Sequence, residues 1–189
     1  MPAIALIVRA ISAVNGLLGR VFAYFSLAVV LICFTVVVLR YGFRIGSVPL
    51  QDLYVWLNGM MFMGIAGYTL MKDGHVRVDL FYRAASLRTK AAIDMIGSVA
   101  FVGPFVAVLV AWGLPYVERS WSLRESSPNF GGLPGLYILK SFLLVFAAVV
   151  ALQALAMFLR GVLVLAGREA LLPEALRYGR EEAEPEIGV

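Results

Sequence analysis

Cysteine and histidine are almost missing from this chain, which carries one of each, Cys33 and His75, in 189 residues. A single cysteine excludes an internal disulfide and a thiol-based metal site. A single histidine excludes the pair of strong axial ligands that a four-helix haem bundle ordinarily uses. It also leaves no Ser–His or Cys–His pair to argue for nucleophilic catalysis. Charge is scarce at 15% of residues, and it is absent altogether from 21–39, 53–71, 95–117 and 141–159. An intramembrane enzyme or ion pathway needs ionisable groups at depth. The middles of these runs have none, so the sequence predicts no enzyme activity and no cofactor.

What fills the space is apolar: 61% of residues are hydrophobic, with a mean hydropathy of +0.88. Each uncharged run has at least 19 residues. At ~1.5 Å per residue, such a run spans the ~30 Å hydrocarbon core of a bilayer. Backbone groups in lipid must bond within their own segment, so the runs read as helices. The expected fold is an all-α membrane protein with four transmembrane helices, at about 21–39, 53–71, 93–115 and 139–160, in one domain over 20–165. Residues 1–19 do not read as a signal peptide, because Arg9 and Arg20 bracket only a modest apolar stretch. Ile4, Ile7, Val8, Ile11, Val14 and Leu18 share a helical face, as in an amphipathic surface helix. Asn15 interrupts that face, and an extension of the first span is the other reading. Residues 166–189 form a tail whose acidic end after Arg180 is expected to be disordered.

The basic residues predict an orientation. Placing both termini and the loop after the second span inside puts eleven Lys and Arg inside and four outside, with Lys140 at the outer boundary. The positive-inside rule then gives N-in, C-in. The net charge of +4 is therefore topological and no sign of nucleic-acid binding. Trp112, Tyr116, Trp121 and Tyr137 cluster at the expected outer boundary, as an aromatic belt does. Glycine and proline across 128–135 forbid a long regular element in the outer loop.

Few polar residues approach the interior. Asn58 and Gln153 are the deepest, and amides there bond across helices or to another subunit. Lys140 and Asp94 lie at span ends, where Asp94 suits the positive N-terminal end of the third helix, capped by Ser86 or Thr89. Gly59, Gly64 and Gly67 smooth one side of the second span, and Gly97 and Gly103 do so for the third. Pro104 predicts a kink. Over 75–85 a surface helix is expected at the lipid interface, although Val76, Val78 and Leu80 also alternate as a strand does. His75 there reads as a loop histidine near Asp73 or Asp79.

Gly74-His75-Val76-Arg77-Val78-Asp79 follows the second span, and Arg83 and Arg88 to Asp94 open the third. Trp121, Glu125-Ser126, Gly131-Gly132-Leu133-Pro134 and Lys140 mark the outer loop and the fourth span. Over roughly 20–165 this pattern resembles the small membrane subunit, DctQ-like, of tripartite ATP-independent periplasmic (TRAP) transporters. The resemblance implies a large multi-span partner that holds the sodium and substrate sites. It also implies a periplasmic binding protein that delivers an organic acid, and an inner-membrane location. Under that reading Arg40, Arg44, Glu118, Arg119, Arg124 and Glu125 are candidates for docking the binding protein. His75, Arg77 and Asp79 are candidates for a cytoplasmic anchor or subunit contact. Asn58, Asp94, Lys140 and Gln153 are candidate interhelix or subunit contacts. Two other readings stay open. A stand-alone homo-oligomeric transporter or channel requires polar residues around a shared pore. A four-helix membrane enzyme requires Arg, Tyr or His clustered at one membrane face.

Overall fold

The computed structural model describes residues 1–72, 82 and 85–178. The uncharged runs become long rods: α1 (Pro2–Gly42), α2 (Val48–Met71), α3 (Leu87–Gly97), α4 (Gly103–Ser122) and α5 (Leu136–Leu165). Helices α3 and α4 run on through a π-helical turn, Ser98–Val102, so four rods make the fold. Among the described residues there is no strand, only an isolated antiparallel bridge between Ser126 and Pro134.

Three rods are long and apolar enough to cross a membrane: Pro2–Gly42, Leu87–Ser122 and Leu136–Leu165. Four spans were expected, and α2 is not among the three. It has the length, with 24 residues, but Gln51, Asp52, Asn58 and three glycines dilute its apolar character. Residues 1–19 and the first span form one unbroken helix of 41 residues, ~61 Å long and about twice the hydrocarbon thickness. Its buried positions Ala5, Val8, Ile11, Ser12, Asn15, Gly19 and Phe22 keep a helical spacing along one face.

Pro104 acts as its chemistry dictates. Without an N–H, and with its ring against the carbonyl four residues back, it cannot sit in a regular α-helix interior. The chain widens just before it, and the Gly103 N–H bonds the Ser98 carbonyl five residues back. The expected kink is thus a π-helical turn.

Helix α5 is the hub, packing against all the other rods. Ala66, Val149 and Val150 form one buried core; Ala5, Val8, Leu163 and Leu172 form another near the chain ends. The expected smoothness of α2 is realised at two glycines. Gly64 lies against the Phe22 ring, and Gly67 lies against Asn15 and the Val149 carbonyl. Gly97 faces open space and Gly103 meets only Ser98, so neither packs a neighbouring helix; in the third rod it is Gly113 that does, against Leu143 and Leu144 of α5.

Candidate functional site

Three polar groups punctuate the bundle: one at each end and one between the helices. At the end where α2 begins, Asp52 sits just past the first turn and is 4% exposed. Its Oδ1 accepts from Asn129 Nδ2 at 2.7 Å, and its Oδ2 accepts from the Leu133 N–H at 2.9 Å. The outer loop is thereby fastened to α2. Ser127 N–H donates to the Leu133 carbonyl at 2.9 Å, closing the loop on itself. A second fastening joins the ends of α4 and α5. Lys140 Nζ meets Glu125 Oε2 at 2.5 Å, and Ser120 Oγ donates to the same oxygen at 2.7 Å. These donors hold the Glu125 carboxyl below its usual range, with the bond from Lys140 the largest cause. Lys140 also lies 4.2 Å from the centre of the Tyr116 ring, a cation–π geometry. The Trp121 ring lies tilted against Tyr137 with centres 4.5 Å apart, and it donates its indole N–H to Ser141 Oγ at 2.8 Å.

The docking candidates separate on this frame. Arg40, Arg44, Glu118, Arg119 and Arg124 are exposed, and Arg44 and Arg124 stand on left-handed backbone at φ 61° and 45°. Glu125 is instead committed inside the chain to Lys140 and Ser120. Phe130, at the loop tip, is fully exposed.

At the opposite end Asp94 is buried, two turns into α3. Ser86 caps that helix as expected, accepting from the Thr89 N–H at 3.3 Å. The expected helix-dipole role of Asp94 is not what the structure uses. Its carboxylate accepts from Arg160 Nη2 at 3.2 Å, from the Tyr178 hydroxyl at 2.8 Å and from the Tyr82 hydroxyl at 3.1 Å. The Arg160 guanidinium also lies 3.9 Å from the centre of the Tyr178 ring. Burial pushes the Tyr178 phenol up, so it stays a donor. His75, Arg77 and Asp79, with most of the segment 75–85, lie outside the described residues, as does the acidic tail.

Between the helices Asn15 Nδ2 donates to Gln153 Oε1 at 2.9 Å, and both residues are buried. That bond joins α5 to α1. Asn58 is exposed on α2 and makes no side-chain bond among the described residues. Sequence reasoning missed Asn15, Arg160 and Tyr178 as partners. They lie 138, 66 and 84 residues from the groups they meet, and no local pattern reports a pairing at that separation. Asp52 carried a local signal, a lone carboxylate beside an uncharged run, but not the identity of its partners.

This arrangement ties loops and termini to helices; among the described residues no three His, Cys, Asp or Glu gather as a metal ligand set. A search of curated proteins and one of solved structures each found no match. A sequence model of the DctQ component of the tripartite ATP-independent periplasmic transporters matches residues 29–164. That stretch covers the rods α2 to α5, the fastened outer loop and the Asp94–Arg160 pair. The chain therefore belongs to the DctQ family, a transporter component and not an enzyme family, and it is a multi-pass membrane protein.

Proposed function

We propose that this chain is the small permease subunit of a TRAP-type secondary transporter. It braces the large subunit in the bacterial inner membrane and helps dock a periplasmic binding protein during sodium-coupled uptake of an organic acid. The observation that carries this reading is the family match over residues 29–164. All four rods then cross the bilayer with both termini inside, as the distribution of basic residues favours. The large subunit holds the moving substrate site, which accords with a chain whose polar groups serve to fasten its own parts. His75, Arg77 and Asp79 anchor the inner face or meet the large subunit.

The outer loop is the docking surface. Two fastenings, at Asp52 and at Glu125–Lys140, support a preformed shape, which lowers the ordering cost of binding. Arg40, Arg44, Glu118, Arg119 and Arg124 stand around it as rim charges, which act mainly on encounter rate.

Reconstitution tests the proposal. Proteoliposomes holding this chain and the large subunit should accumulate a labelled organic acid only with the binding protein and an inward sodium gradient. Uptake by this chain alone would favour the homo-oligomeric reading. Reversing Arg124 to Glu should slow uptake at limiting binding protein about 10-fold at low salt, and a saturating amount should restore it. Uptake unchanged at limiting binding protein would remove the loop from docking.

A further inference from the structure

Two contacts fix the depth of Arg20. Phe22 meets Phe142, with ring centres 5.7 Å apart, and Asn15 bonds Gln153. Arg20 lies between Asn15 and Phe22 on α1, so it stands beside the stretch of α5 between Phe142 and Gln153. That stretch lies inside the uncharged run 141–159. Arg20 is thus level with the part of the bundle that has to sit in hydrocarbon, although in sequence it reads as the inner edge of the first span.

Its side chain does not climb toward the Lys140 end. A helical side chain leans toward its own N-terminus. Arg20 does so, its Nε donating to the Gly16 carbonyl at 3.3 Å. The guanidinium is carried toward the Asn15–Gln153 level, deeper along α5. The surface around it is apolar and bare. Leu17, Tyr24, Leu27 and Leu31 share its face and are 56%, 75%, 58% and 56% exposed. Among the described residues the carboxylates Asp52, Glu118 and Glu125 lie at one end of the bundle, and Asp94, Glu169 and Glu174 at the other. No acidic residue occurs in the uncharged runs.

A lone cation on an apolar face at membrane depth needs a counter-charge, because hydrocarbon supplies none. We propose that Arg20 and the flanking face of α1 dock on a transmembrane helix of the large subunit, and that this helix presents a carboxylate to the guanidinium. Lipid is the poorer occupant, since the side chain leans away from the nearer boundary. A second copy of this chain is poorer still, since it would bring another Arg20 and no acid at that level. The inference rests on the small-subunit reading above and names the contact surface within it.

The test measures how much large subunit is retained by the tagged chain in mild detergent. Arg20→Leu should lower retention at least tenfold, Arg20→Glu should abolish it, and Arg20→Lys should keep part of it. The melting temperature of the isolated chain should not fall in Arg20→Leu. Equal retention in Arg20→Leu and wild type would overturn the inference, as would a matching loss of isolated-chain stability. Tyr24→Cys, with Cys33→Ser, should crosslink to the large subunit. A crosslink to a second copy of this chain, or none, would overturn it as well. The contact surface and the small-subunit reading fail separately. If wild type retains the large subunit but position 24 never reaches it, the surface is wrong and the small-subunit reading stands. If wild type retains no large partner at all, both fall.

Discussion

Gly67 decides how closely three helices meet. A Cβ at this position would lie 2.7 Å from Asn15 Oδ1 and 2.8 Å from the Val149 carbonyl oxygen. The first is the end of a side chain and can turn away, but it would forfeit its bond to Gln153. The second is backbone inside α5 and cannot move alone. Gly67→Ala should therefore push α2 off α1 and α5, at a cost of ~1–3 kcal/mol. Losing the amide pair adds roughly 0.6–2 kcal/mol, the range for such bonds between membrane helices. A lower melting temperature of the purified chain in detergent is expected. A melting temperature equal to wild type would show that the three helices are less tightly keyed here than their geometry implies. Gly97→Ala is the control, because its Cβ would meet nothing, and alanine favours the helix by ~1 kcal/mol.

The outer loop illustrates what one element owes to a single charge pair. Glu125 joins the last turn of α4 to the first turn of α5 through Lys140 and Ser120. Its pKa in the folded chain is below the ordinary value, so its contribution is complete above the ordinary carboxylate range. It is lost as pH falls through the depressed folded value. The loop should thus stay ordered at pH 6 and loosen only in strong acid. Amide hydrogen exchange over 123–135, compared between wild type and Glu125→Gln, reads this directly. Relative to intrinsic rates, wild type should be well protected at pH 6 and lose that protection in acid, whereas Glu125→Gln should be less protected at pH 6 and converge with wild type in strong acid. A loop that loosens already near pH 6 in wild type would contradict the pairing. Glycine, proline and the aromatic belt made this element legible as an irregular outer loop. The two fastenings were not legible, because Asp52 is 77 residues from Asn129 and the loop carries no internal mark of what it rests on.

For the whole molecule, periodicity and the uncharged runs gave the all-α class and the four rods, since both follow from local apolar content. Where the first rod begins and what its ends touch depend on contacts between chain ends, and those are invisible to a local reading. The clearest case is the segment after α5. Gly167 turns the chain at φ 67°, and two 3₁₀ turns, Glu169–Leu171 and Glu174–Leu176, bring it back across the bundle. Leu172 is buried among Ala5, Val8 and Leu163, and Arg9 donates to the Leu171 carbonyl at 2.6 Å. Tyr178 then reaches Asp94 on α3. This strap ties the start of the first rod to the start of the third, two rods that both pack on α5. Leu172→Ala should cost ~2–5 kcal/mol, as buried leucine truncations do. Tyr178→Phe should cost less, ~1.5–3 kcal/mol for one hydrogen bond to a charged group. Asp94→Ala should cost the most, ~3–5 kcal/mol, because it removes the buried carboxylate that the partly buried Arg160 meets. That order, read from thermal unfolding in detergent, is the signature of a strap that closes the fold through an ion pair. Truncation after Gly167 should then destabilise at least as much as Leu172→Ala. A truncated chain that melts with wild type would show that α5 alone holds the two rods together.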